Sequence, residues 1–152
     1  MSFTGLDHVG FSVSDLDRSI DWYTRFLNGP PVLRRLYEVE YIARVVGYPG
    51  LRLDAAFWHL PGGTILELLQ YLEPPPGHVD LETYNVGNAH LCLLTDDLAA
   101  EFARLRGFVE FRSLEPVEIL WGPYQGGSAC YLRDPDGISV ELLQPPPGGP
   151  AL

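Results

Sequence analysis

The chain alternates between two kinds of hydrophobic pattern, and the alternation repeats. Asp7-His8-Val9-Gly10-Phe11-Ser12-Val13 places apolar side chains at every second position, the period of a half-buried strand. A helical period follows, with Leu16, Ile20, Tyr23 and Leu27 on one face behind an N-cap at Ser14 or Asp15, and it ends near Asn28-Gly29-Pro30-Pro31. Leu51 to Leu60, the loop Pro61-Gly62-Gly63 and Thr64 to Tyr71 then read as a hairpin. Between them, Tyr37 to Gly47 reads as an extra helix that covers the site face, with Tyr41, Ile42 and Val45 apolar.

The same series begins again at Ala89. Ala89-His90-Leu91-Cys92-Leu93-Leu94 is a strand, and Leu98, Phe102 and Leu105 line a helix that starts at Asp97 and stops at Gly107. Phe108 to Arg112 is a strand, and Ser128 to Leu132, the turn Asp134-Pro135-Asp136-Gly137 and Ile138 to Leu143 form a second hairpin. An Asp-Leu pair follows each strand His by seven residues, at Asp15-Leu16 and Asp97-Leu98, and each closing strand carries Glu-Leu-Leu-Gln. The His to Glu separations are 67 − 8 = 59 and 141 − 90 = 51. The repeat therefore predicts an α+β fold of two tandem βαβββ modules within one domain: module 1 about residues 5–72, a Pro-rich linker about 73–87, module 2 about 88–144 and a disordered Pro/Gly tail at 145–152.

Composition narrows the chemistry. The chain has 152 residues, enough to bury a core, and 46% of them are hydrophobic. Ten Arg, no Lys and 20 Asp plus Glu give a formal charge of −10, which repels phosphate backbones and argues against nucleic acid as a partner. Without lysine there is no Schiff-base chemistry. No apolar run approaches the ~20 residues of a membrane helix, and no signal peptide is legible, so a cytoplasmic location is expected. Cys92 and Cys130 lack metal-type CxxC spacing and are expected to be core thiols.

The residues that carry chemistry are the repeated ones. By strand alternation His8 shares a face with Gly10 and Ser12, Glu67 with Ile65 and Leu69, and Glu141 with Ser139 and Leu143. A carboxylate in the middle of an apolar strand needs a partner. Two His and two Glu repeated in order point to one divalent metal held by His8, Glu67, His90 and Glu141, with Zn, Ni, Co, Mn or Fe(II) suited to such a donor set. His59 and His78 have no counterpart in the other module and read as surface or loop residues.

Asp7-His8-Val9, Asn88-Ala89-His90 and Tyr131-Leu132-Arg133-Asp134-Pro135-Asp136-Gly137 with Glu141 beyond it resemble the vicinal oxygen chelate superfamily over Leu6 to Gln144. That superfamily includes glyoxalase I, methylmalonyl-CoA epimerase, extradiol dioxygenases and bleomycin-resistance-type binding proteins. The resemblance implies modules that form a cupped mixed sheet around a metal, a substrate chelated through two adjacent oxygens, and a symmetric dimer. It implies His8, Glu67, His90 and Glu141 as ligands, with Glu67 or Glu141 as the catalytic carboxylate that moves a proton α to a carbonyl. The expected function is a metal-dependent lyase or isomerase that stabilises an enediolate or enolate of a small oxygenated substrate. The rival reading is a protein that sequesters an apolar natural product. An extradiol dioxygenase uses two His and one Glu, and the extra carboxylate at Glu67 counts against it.

Two features bear on the substrate. Arg34, Arg35, Arg44 and Arg52 form a candidate anion site against the acidic background, and Tyr37, Tyr41, Tyr48, Phe57, Trp58, Trp121 and Tyr124 read first as core and interface packing. Gly126-Gly127-Ser128 is too short for a phosphate loop.

Overall fold

The computed structural model describes residues 2–150, which fall into two compact units dividing after His78. The first contains β1 (His8–Ser12), α1 (Leu16–Phe26), β2 (Leu33–Tyr37), α2 (Glu40–Val46), β3 (Arg52–His59) and β4 (Ile65–Glu73). Its sheet runs β1-β4-β3-β2, with β1 parallel to β4 and the other pairings antiparallel.

Helix α1 starts where the sequence predicts, because the Asp15 side chain accepts from the Arg18 amide. Its buried stripe is Leu16, Ser19, Trp22, Tyr23 and Phe26, while Ile20 and Leu27 are only half-buried. It packs on the sheet face that carries Trp58, Leu66 and Leu68; the Tyr23 and Trp58 rings lie 5.9 Å apart, and the Trp58 indole donates to the Gly29 carbonyl. The opposite face carries His8, Gly10, Phe57, Glu67 and Leu69, since these are register partners or sit two apart along a strand. Helix α2 lies on this second face: Ala43, Leu51 and Leu53 form a buried cluster with Ile42, Leu69 and Tyr71 against it. The predicted covering helix is thus present, shorter than Tyr37 to Gly47 because Tyr37 ends β2 and Gly47, at φ +81°, caps the helix.

The second unit contains β5 (His90–Leu94), α3 (Leu98–Leu105), β6 (Glu110–Phe111), β7 (Val117–Glu118), β8 (Ser128–Arg133) and β9 (Ser139–Gln144). Its order, β5-β9-β8-β6, repeats that of the first, with β5 parallel to β9 and the short β7 also paired to β8. Asp97 caps α3 through the Ala100 amide, and Phe102 stacks on Phe111 at 4.0 Å. The hairpin turn is fixed by Asp134, a buried carboxylate whose Oδ1 accepts from the amides of Asp136 and Ile138, while Gly137 takes φ +87°.

Two boundaries differ from the sequence reading. Residues 80–88 are not a free linker: Glu82 pairs with Arg112 at 3.0 Å and Arg133 at 2.8 Å, and the Leu81 carbonyl accepts from Asn88. The tail does not loosen at once either. Pro145 and Pro146 are half-buried, and Pro146 lies beside Gly127, where a Cβ would meet the Gln144 carbonyl at 2.5 Å. The last two residues of the expected disordered tail, 151–152, lie outside the described residues.

The structure also explains the Gln that ends each Glu-Leu-Leu-Gln run. Gln70 Oε1 accepts from the first helical amide of α1, at Leu16 (2.9 Å), and Gln144 Oε1 accepts from that of α3, at Leu98 (2.8 Å). Each fastens a helix N-terminus to the final strand of its own unit and satisfies an amide that has no partner within the helix. Replacing either Gln by Leu should lower stability by about 1–2 kcal/mol in urea unfolding, with the m-value unchanged.

Candidate metal centre

Parallel pairing sets the geometry of each His–Glu pair. In the first unit Gly10 is the register partner of Glu67, so His8, two residues earlier on the same face, stands diagonally across from it. In the second, Cys92 partners Glu141 and His90 takes the equivalent diagonal. His8 Nε2 lies 3.6 Å from Glu67 Oε2, and His90 Nε2 lies 3.1 Å from Glu141 Oε2. The carboxylates are mostly covered, at 18% and 17% side-chain exposure, and the imidazoles are open at 52% and 42%. The unusual mid-strand carboxylates therefore have the partners that burial demands.

The two pairs are held differently. His8 Nδ1 lies 2.9 Å from Asp7 Oδ2, and that hydrogen bond is the main reason its pKa is raised; burial opposes it, and the charges of Glu67 and Asp7 add to it. With Nδ1 engaged by Asp7, Nε2 is the ring nitrogen that faces Glu67, and a carboxylate behind the other ring nitrogen is the arrangement found for histidines that ligate metals. Burial pushes the Glu67 carboxyl above its usual range, with His8 acting to lower it and Asp7 to raise it. Gly10 lets this carboxylate pack directly against the strand backbone, since a Cβ there would come within 3.2 Å of Glu67 Oε2.

In the second unit Tyr131 is the register partner of Glu141 on β8. Its hydroxyl donates to Glu141 Oε2 at 2.8 Å and lies 3.2 Å from His90 Nε2. Burial, then the hydrogen bond to Glu141, drives the phenol pKa well upward. Cys92 flanks Glu141 from the other side and is exposed, which corrects the expectation of a core thiol; burial of the sulfur and then the nearby Glu141 push its pKa up to about 11. Cys130, by contrast, is buried as expected.

His8, Glu67, His90 and Glu141 thus stand as two pairs, one on each unit's sheet. Among the described residues, no group of three or more His, Cys, Asp or Glu side chains is disposed to hold a metal ion. The donor chemistry of each pair, one imidazole and one carboxylate in reach of each other, suits half of a divalent site. His59 and His78 are exposed, as read from the sequence.

Sequence reasoning overlooked Asp7, Tyr131 and Cys92. The signal for Tyr131 was present: the turn at residues 134–137 sets a register in which 131 opposes 141. Nor do the four arginines form an anion site. Arg34 pairs with Asp17 and Asp54, and Arg52 with Glu38, while Arg35 lies over the Tyr37 ring. Arg44 lines a cavity of about 590 Å³ beside α2 together with Glu38 and Glu40, so that wall is not cationic. Of the aromatic residues considered, Trp58 is buried in the core, while Tyr41 and Trp121 are largely exposed and so lie outside the core of their units.

The repeated strand order is that of an α+β protein of the glyoxalase fold. A glyoxalase family protein from Bacillus cereus superposes with a TM-score of 0.77 at 22% identity, covering 96% of this chain and 99% of that one. The family model described as the Glyoxalase/Bleomycin resistance protein/Dioxygenase superfamily matches residues 5–142, and the chain belongs to that family. It is 31% identical over 151 residues to a lactoylglutathione lyase of Salmonella typhimurium, covering 95% of this chain and 96% of that protein. It is also 26% identical to a 2-epi-5-epi-valiolone epimerase of an Actinomyces species, covering 94% and 80%.

The Asp7 contact gives a direct expectation for the metal-free protein. Asp7→Asn should move the His8 pKa down toward its ordinary value, as followed by NMR titration of the imidazole protons. An unchanged His8 would show that Asp7 does not hold it.

Proposed function

We propose that the protein is a metal-dependent lyase or isomerase that moves a proton next to a carbonyl of a small oxygenated substrate. The observation that supports this reading most strongly is the duplicated His–Glu diagonal, on matched strands, in a chain whose relatives include a lyase and an epimerase. His8, Glu67, His90 and Glu141 would hold one divalent ion, their two pairs drawn from one chain or from two copies of it; Zn, Ni, Co, Mn and Fe(II) all suit the donors. When bound, such an ion polarises a carbonyl oxygen as a Lewis acid.

The chain's own residues supply the proton transfer. Glu67 is the better base of the two carboxylates: it is raised by burial, and no hydrogen bond to it occurs among the described residues. Glu141 accepts from Tyr131 and is correspondingly less free. Glu67 takes the proton from the carbon α to the carbonyl and returns it to the neighbouring carbon, the lyase outcome; in the epimerase outcome Glu67 keeps that proton and a second donor, Glu141 or a solvent water, protonates the opposite face. Phe57, Leu69 and Ala55 on the same sheet face provide an apolar floor beside it. The exposed apolar residues Leu33, Leu36 and Val45 support a dimer, for which light scattering should return twice the 16.9 kDa chain mass.

The deciding experiment uses metal-loaded protein with α-hydroxycarbonyl and hemithioacetal substrates in deuterated water. Solvent deuterium should enter the α position, and Glu67→Gln, which keeps an oxygen ligand and removes the base, should slow this by ~10²-fold or more. Tight binding of such compounds without any exchange would replace this reading with that of a sequestering protein.

A further inference from the structure

The repeat supplies an internal comparison, because each position around one carboxylate has a counterpart around the other. Opposite Glu67 on the neighbouring antiparallel strand stands Phe57, and opposite Glu141 stands Tyr131. On the parallel strand the partner of Glu67 is Gly10, and that of Glu141 is Cys92. Both neighbours of Glu67 lack a side-chain donor; both neighbours of Glu141 carry one, strong in the phenol and weak in the thiol. The distances follow this difference. Tyr131 Oη, Glu141 Oε2 and His90 Nε2 form a closed triangle with sides of 2.8, 3.2 and 3.1 Å, whereas His8 and Glu67 stand 3.6 Å apart with no third group to join them.

We infer that Tyr131 is a positioning residue that makes the two His–Glu pairs unequal, fixing Glu141 and His90 as a preorganised ligand pair and leaving Glu67 free to move. This rests on the metal reading given above. The physical reason lies on one oxygen: the phenol donates to Glu141 Oε2, the atom that also faces His90 Nε2, and so fixes the carboxylate's rotation beside the imidazole. A side chain already in its ligating rotamer loses less conformational freedom when an ion arrives. Glu67, which faces Phe57 and the backbone of Gly10 and accepts no side-chain hydrogen bond among the described residues, is not fixed in this way, and a carboxylate that moves a proton requires that freedom. On the strands that flank the carboxylates, the repeat departs from symmetry at Phe57 against Tyr131 and at Gly10 against Cys92.

The test is Co2+ titration into metal-free protein, read by isothermal calorimetry and by the visible absorption of the bound ion. Tyr131→Phe should weaken Co2+ binding by about 10–100-fold, the scale for loss of an outer partner of a metal ligand, and should shift the absorption band. Glu141→Gln should cost more affinity than Glu67→Gln. If Tyr131→Phe proves poorly folded by thermal unfolding without metal, Phe57→Tyr makes the same test from the other half: a phenol opposite Glu67 should tighten Co2+ binding and slow α-proton exchange. Wild-type affinity and spectrum in Tyr131→Phe, equal losses for the two Gln variants, or a Phe57→Tyr protein that behaves as wild type would each overturn the inference while leaving the metal reading intact. Failure of the wild-type protein to bind Co2+ would remove both.

Discussion

In each unit the first strand runs parallel to the last, and the site depends on that pairing. A parallel ladder places residues at matched height on neighbouring strands, so a His at the start of one strand and a Glu in the middle of the other meet diagonally on one face. The helix that connects the first strand to the rest of the sheet packs on the opposite face, and the Gln at the end of the last strand holds its N-terminus there. One face is therefore filled with Trp58, Leu66, Leu68 and their counterparts Leu132, Val140 and Leu142, and the other is left for chemistry. The cost of carrying a carboxylate into this sheet is met locally, by an imidazole in the first unit and by an imidazole and a phenol in the second.

Duplication gives the site its form, and divergence between the copies gives it a division of labour. Asp7 has no acidic counterpart, since Ala89 precedes His90, so one histidine is held from behind by a carboxylate and the other from the front by Tyr131. Helix α2 belongs to the first unit alone and lies over the face that carries Glu67, next to Leu69 and Tyr71. In the second unit the corresponding stretch is irregular, with the two-residue β7 and the exposed Leu120 and Trp121. On the proposed function this difference assigns the base to the first unit and the more firmly held His–Glu pair to the second. The chain is acidic overall, and Arg34 and Arg52 of the first unit are matched to carboxylates of that unit.

Much of this is legible in the sequence because strand alternation, capping residues and turn glycines are local signals. His8, Glu67, His90 and Glu141 stand out since a repeat makes an improbable residue, a mid-strand Glu, occur twice. Strand β2 escapes notice because Leu33-Arg34-Arg35-Leu36-Tyr37 does not alternate; as the edge strand of its sheet it is exposed on both faces for most of its length. The arginine cluster misleads for a related reason: adjacency in sequence sends Arg34 and Arg35 to opposite faces, and their partners Asp17, Asp54 and Tyr37 come from other elements or further along the strand. Cys92 looks like core because its neighbours are apolar, yet its parity is that of His90. Tyr131 requires the hairpin register, which residue type alone does not give.

The central claim is that the two His–Glu pairs act together on one ion, and it is tested most directly by equilibrium binding of Zn2+ or Co2+ to variants that lack one pair. The wild-type chain should take up about one ion per chain, the capacity of two imidazoles and two carboxylates, and both His8→Ala/Glu67→Ala and His90→Ala/Glu141→Ala should lose tight binding altogether. Retention of wild-type affinity in either double variant would contradict the claim, because it would show that one pair holds the ion without the other.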